Sequence, residues 1–206
     1  MFSRFYWLVH GSSGLVDRVD VSHYRLSMHL VLAFIILSLI FWNYLSLQNI
    51  YLSFKKINKK IPIIFMLIIF LQICIGAFVS GMDAGKIYNS WPLMGSGLFP
   101  DDNSIQNLFY LSAFDDPSLV QFMHRNLAYL IFLFYLFIFI KIYKNRLSKL
   151  FTAIKVAGFF LILQIILGIL TLLFGAQIVV ASMHQISSIF LVTSSIYFLY
   201  LNNNSS

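Results

Sequence analysis

The sequence predicts an all-α polytopic membrane protein, and three observations predict it. Of the 206 residues, 60% are hydrophobic and 10% charged, whereas about a quarter of the residues of a soluble domain are charged. The apolar residues come in blocks, and five blocks reach the ~20 helical residues needed to cross a bilayer. The basic residues gather in alternate connections between those blocks, as orientation in a membrane requires.

Taken in order, the chain opens on a short apolar piece, residues 5–9, that ends at Gly11-Ser12-Ser13-Gly14. It is too short to span and lacks the charged start and small-residue cleavage site of a signal peptide, so it reads as the tail of a helix. Spans are expected at residues 28–50, 61–80, 126–143, 152–174 and 178–201. Each is apolar on every face, unlike an amphipathic surface helix. In hydrocarbon the backbone must satisfy its own hydrogen bonds, so each must be helical.

Lys55, Lys56, Lys59 and Lys60 fill one connection, and Lys141, Lys144, Arg146 and Lys149 another, which puts both on the inner side. The long connection 81–123 sets Lys86 against Asp83, Asp101, Asp102, Asp115 and Asp116 and lies outside, as does the turn near 175–177. Within it, residues 106–114 read as a short amphipathic piece on the membrane surface. The tail 202–206 is inside. The protein is therefore expected to be multi-pass in a lipid bilayer, of a bacterial inner membrane sooner than a mitochondrial one.

The net charge of +7 does not indicate nucleic acid, because the basic residues form no groove-sized patch and no aromatic-basic interleaving. Glutamate is absent, and the one cysteine, Cys74, lies inside an apolar block, where a thiol behaves as a small buried hydrophobe.

An internal repeat precedes any site. Leu71-Gln72-Ile73-Cys74-Ile75-Gly76 matches Leu163-Gln164-Ile165-Ile166-Leu167-Gly168, and Ser27-Met28-His29 matches Ser182-Met183-His184, with Met123-His124 a third Met-His. Each Gln stands four residues before its Gly, on one helix face. Glycine there permits close approach of a helix or a flat ligand; ordinary small-residue packing is the alternative.

His29, His124 and His184 each fall at the start of a span that runs from outside to inside, so all three share one depth near the outer face. Ionisable groups inside a membrane are costly and face the bundle interior or a cavity. Singly, each could be an interfacial histidine bonded to a neighbour; together they favour ligation. Zinc would want a tight cluster of His, Cys or acidic ligands, and copper a methionine or thiolate alongside. Haem needs one or two axial imidazoles and a flat apolar slot. His124 and His184 lie on parallel spans separated by one helix and can meet opposite faces of one macrocycle, with His29 left over. Arg25, one turn before His29, and Arg125, next to His124, are candidates for pairing haem propionates, or else arginines snorkelling to water. His10 and His23 are left outside the site as loop histidines.

At these residues the chain resembles the haem A synthase family. The resemblance runs through Val21-Ser22-His23-Tyr24-Arg25-Leu26-Ser27-Met28-His29-Leu30 and Gly76-Ala77-Phe78-Val79-Ser80-Gly81-Met82-Asp83-Ala84-Gly85. It continues in Tyr88-Asn89-Ser90-Trp91-Pro92-Leu93-Met94, Val120-Gln121-Phe122-Met123-His124-Arg125 with Leu127-Ala128-Tyr129, and Ala181-Ser182-Met183-His184-Gln185. It covers essentially the whole chain.

The resemblance implies two duplicated four-helix bundles and an oxidoreductase that converts the ring methyl of haem O to the formyl of haem A. The second bundle would hold a b-type haem (haem b) through His124 and His184, with Arg125 beside it. His29, with Arg25, would help hold the iron and propionates of the substrate haem. The division expected is 1–55 as the remnant of a substrate-side bundle, 61–201 as the cofactor bundle with its outer loop 81–123, and 202–206 as tail.

The resemblance further implies haem O as substrate, an electron donor it does not name, and a haem O synthase or oxidase assembly factors as candidate partners. The family's first two spans and most of the third have no counterpart here. They would include a second substrate-side histidine and a glutamate associated with catalysis, so the catalytic residues are expected upstream of Met1. This chain alone is then expected not to complete the reaction. Some members of the family carry paired outer-loop cysteines, and this stretch has none. A non-enzymatic bis-histidine cytochrome is the alternative, and a haem-free transporter or assembly factor a third reading, opposed by the lack of charge inside the spans.

Overall fold

The computed structural model describes residues 22–48 and 55–204. The short apolar piece 5–9 and His10 lie outside the described residues. The described residues form five long helices: α1 (His23–Leu47), α2 (Lys60–Gly81), α3 (Pro117–Lys144), α4 (Ser148–Leu173) and α5 (Ile178–Asn204). Each is long and apolar enough to cross a membrane, so the protein is all-α and polytopic. Among the described residues the one β pairing is an isolated bridge between Met94 and Gly97.

Four of the five spans start and stop close to where apolar length places them. The exception is α3, which starts at Pro117 rather than at 126. Residues 117–125 are too polar to read as a span, yet Asp116 caps the helix, its side chain accepting from the Leu119 N–H at 2.9 Å. Pro117 then sits in the first turn, where a missing N–H costs nothing. The turn between α4 and α5 is made by Gly175 and Ala176, both at positive φ (63° and 58°).

The outer segment expected as one amphipathic piece is two 3-10 turns, Ile105–Phe109 and Leu111–Asp115. Tyr110 between them is extended at φ −100°, ψ 148°, which breaks any continuous apolar face. Phe109 and Leu111 are left largely exposed.

Helices α2, α3, α4 and α5 pack as a ring, each against the next and α5 back against α2. Among the described residues, neither diagonal, α2 with α4 or α3 with α5, makes a substantial contact. Helix α1 lies outside the ring against α2 and α5. Towards the inner face the ring closes on Phe65, Ile138, Ile142, Leu150, Ile154 and Phe198, all fully buried.

Leu32, Leu39, Leu67, Leu133, Phe159 and Ile178 point outward and exposed; in hydrocarbon they face lipid tails at no cost. At the inner end, Asn202 is fully buried and accepts from the Ile57 N–H (3.0 Å) while donating to the Ile57 carbonyl (3.2 Å). That pair fastens the basic connection to the end of α5.

Candidate functional site

The three intramembrane histidines take equivalent places on their helices. His29 is the seventh residue of α1, His124 the eighth of α3 and His184 the seventh of α5. At ~1.5 Å per residue each lies about 10 Å from the outer end of its helix. The early start of α3 therefore puts His124 two turns inside its span, not at its beginning, and level with the others.

His124 and His184 stand on one diagonal of the ring and the repeated glycines on the other. Gly76 of α2 faces His124, and Gly168 of α4 faces His184. A Cβ on Gly76 would lie 3.0 Å from the His124 Cε1, and one on Gly168 3.1 Å from the His184 Cε1. The Gln-x-x-x-Gly repeat in the sequence thus becomes a repeat in space. Glycine serves here to seat an imidazole edge against a neighbouring helix, not to bring two helices together.

The polar atoms around these rings are buried and incompletely paired. The Gln72 amide nitrogen lies 3.2 Å from His124 Nε2 and donates to the His124 carbonyl at 3.1 Å. His124 Nδ1, His184 Nδ1, and the side-chain oxygens of Gln72 and Gln164 are buried without hydrogen-bond partners. An unpaired buried polar atom costs about 1–3 kcal/mol, and a bound water, ion or ligand is one way in which such atoms find partners. Among the described residues no group of three or more His, Cys, Asp or Glu could hold a bare metal ion. Buried imidazoles on diagonal helices, with ring nitrogens left unpaired, are the donor type that would hold a porphyrin iron.

Above the rings the outer loop folds down onto α3. Arg125 Nη1 donates to the carbonyls of Ser90 (3.0 Å) and Leu93 (3.3 Å), and Nη2 to that of Tyr88 (2.9 Å). Gln121 adds a bond to the Tyr88 carbonyl at 3.1 Å, and the Trp91 indole N–H reaches the Tyr129 hydroxyl at 3.0 Å. Asn89 joins the same segment to α4 through the Leu172 carbonyl. Arg125, expected to pair a propionate, directs three N–H donors of its fork to residues 88–93. Its Nε is buried and unpartnered.

Asp102 closes this loop by accepting from the Ser118 hydroxyl (2.6 Å) and the Tyr88 hydroxyl (2.9 Å). Burial pushes the Asp102 carboxyl up, but those hydrogen bonds outweigh it and hold the group below the usual carboxylate range. Asp101, bonded by Ser96, is lowered too.

His29 and Arg25 are not in the ring; both lie exposed on α1, one turn apart. His23, left outside the site by its sequence context, starts α1 within 3.2 Å of the Asp115 carboxylate, though off the line of a good hydrogen bond. Sequence reasoning missed Gln72 as a direct partner of His124; the signal was its place one turn before Gly76 in the repeat.

The sequence profile of the cytochrome oxidase assembly protein family matches residues 6–196. The chain belongs to this family. Among its curated relatives, the Heme A synthase of Pelagibacter ubique (strain HTCC1062) is 46% identical over 198 residues, covering 94% of this chain and 57% of that protein. The Heme A synthase of Rickettsia bellii (strain OSU 85-389) is 38% identical over 198 residues, 94% of this chain and 59% of the relative. That of Rickettsia akari (strain Hartford) is 37% identical over 201 residues, 94% and 58%. The chain therefore spans rather less than two thirds of the length of these relatives. No solved structure matches it. With five apolar spans among the described residues and bacterial relatives in this family, it is a multi-pass protein of a bacterial inner membrane.

Proposed function

We propose that the chain serves haem A biosynthesis as the cofactor-holding part of an oxidoreductase of haem O, which converts a ring methyl to the formyl of haem A. In this reading a b-type haem sits between His124 and His184 at the outer end of the four-helix ring. The observation that carries it is the arrangement of the two imidazoles: diagonal helices, matching depth, each ring seated on a glycine of the other diagonal. The relatives named Heme A synthase support the same reading.

Bound there, the haem iron would supply one-electron oxidation and reduction, its potential set by the two imidazoles and the apolar surround. The residues of this chain orient and seal. Gly76 and Gly168 fix the ring planes, and the helix ring excludes water. Arg125 holds the loop 88–93 over the outer end and keeps its Nε–H for a propionate. His29 and Arg25, together on the open face of α1, are proposed to receive the iron and a propionate of haem O. Residues 61–201 then form the cofactor unit, with α1 belonging to the substrate side. An electron donor is required, and a haem O synthase or oxidase assembly proteins in the same lipid bilayer are the partners this chemistry calls for.

Expression in membranes supplied with haem O tests the reading, with bound haems separated by chromatography. A b-type haem retained by the chain and lost in both His124→Ala and His184→Ala is expected, and any haem A formed must disappear in the same variants. A folded chain that carries no haem overturns it.

A further inference from the structure

The two halves of the site are built from one repeat, yet their histidines are not held alike. At His124 the Gln72 amide makes two contacts, one to the ring Nε2 and one to the backbone carbonyl. In the tautomer that accepts at Nε2, each contact uses one amide hydrogen, so that Gln72 ties α2 to α3 and engages the Nε2 lone pair of the ring. The His124 tautomer that accepts at Nε2 carries its proton on Nδ1, and Nδ1 is buried without a partner.

At His184 the equivalent glutamine, Gln164, makes no side-chain hydrogen bond to the ring among the described residues, and its amide oxygen is buried and unpaired. The His184 carbonyl is served within its own helix by the Ser187 hydroxyl at 3.0 Å.

Resting on the haem reading above, the geometry points to Gln72 as a latch on His124 that makes the two iron ligands inequivalent. An imidazole nitrogen bonds iron through its lone pair, and at His124 Nε2 that lone pair is already engaged by an amide proton. The lone pair must be surrendered before the nitrogen can coordinate. His184 has no such competitor. Iron therefore binds first to His184 and then to His124, as Gln72 releases the ring while keeping its bond to the His124 carbonyl. The latch holds the ring at the height and angle at which iron meets it, and it slows the closing of the second bond. Gln72 is in this sense a positioning residue acting through His124.

Stopped-flow mixing of hemin with the purified full chain in detergent tests this, the spin-state bands reporting the number of axial imidazoles. The wild type should pass through a five-coordinate high-spin species and close in a slower second phase to the six-coordinate low-spin form. Gln72→Leu, apolar and of similar length, should speed that second phase at least fivefold. Gln72→Asn, too short to reach the ring, should do the same, and Gln164→Leu should leave it unchanged.

His124→Ala should stop at the high-spin stage. A second phase unaltered or slowed in both Gln72 variants overturns the latch. So does failure of both variants to fold, which would make the amide a structural cross-link only. A wild type that never reaches the low-spin form instead overturns the bis-histidine reading itself, separately from the latch.

Discussion

Gly76 lies so close to the imidazole of His124 that a Cβ added to it would stand 3.0 Å from the ring Cε1, and Gly168 bears the same relation to His184 at 3.1 Å. Both distances are tighter than ordinary contact, so a methyl group at either glycine obliges the ring to move by a few tenths of an ångström. Gly76→Ala should therefore raise the rate of haem loss to a scavenging apoprotein about tenfold, equivalent to ~1.4 kcal/mol. Gly168→Ala, at nearly the same distance, should raise it to a similar extent, and unchanged haem loss in both variants would contradict the seating of the rings on these glycines.

Arg125 supplies three hydrogen bonds to the carbonyls of Tyr88, Ser90 and Leu93. Bonds from a charged donor are worth about 1.5–3 kcal/mol each before entropy is counted, and a lysine has no planar fork to make all three. Arg125→Lys should thus free residues 88–93, read as faster amide exchange in that segment with the helices unaffected. Exchange unchanged in the lysine variant would mean that the fork is dispensable.

Loop closure should also weaken in acid. Asp102 is held below the usual carboxylate range because the Ser118 and Tyr88 hydroxyls outweigh its burial. A carboxyl with a depressed folded value contributes in full above its unfolded value, and the contribution disappears as pH falls through the folded one. Limited proteolysis of residues 88–116 should therefore accelerate only below the ordinary carboxylate range, and Asp102→Asn should flatten that acid limb. Loosening that begins near neutral pH would point to another group.

Asn202 separates stability from function. Replacing it with alanine leaves the buried Ile57 N–H and carbonyl without their partner, a loss of about 2 kcal/mol. Thermal unfolding of the apoprotein should move down accordingly, while the spectrum of the haem-loaded protein stays as in the wild type. A shifted spectrum would link the inner end to the haem site.

Much of this was legible in the sequence, for physical reasons that also explain what was not. Apolar length alone fixes the spans, because a bilayer admits little but a helix. The start of α3 escaped because residues 117–125 are polar; the Asp116-Pro117 cap that sets it is a local signal that hydropathy does not read. The single surface piece at 106–114 failed at Tyr110, whose extended backbone splits it into two turns. His124 and His184 could be matched by depth and repeat, since both follow from position along a helix. The Arg125 fork could not, because its acceptors are backbone carbonyls more than thirty residues away, and carbonyls carry no sequence signature.

The most direct test is the low-temperature electron paramagnetic resonance spectrum of the ferric, haem-loaded chain beside His124→Ala and His184→Ala. A low-spin signal in the wild type, replaced by a high-spin signal in each single variant, is the predicted result. A low-spin signal that survives in either variant would mean that the iron takes its second ligand elsewhere, and the diagonal pair would lose its role.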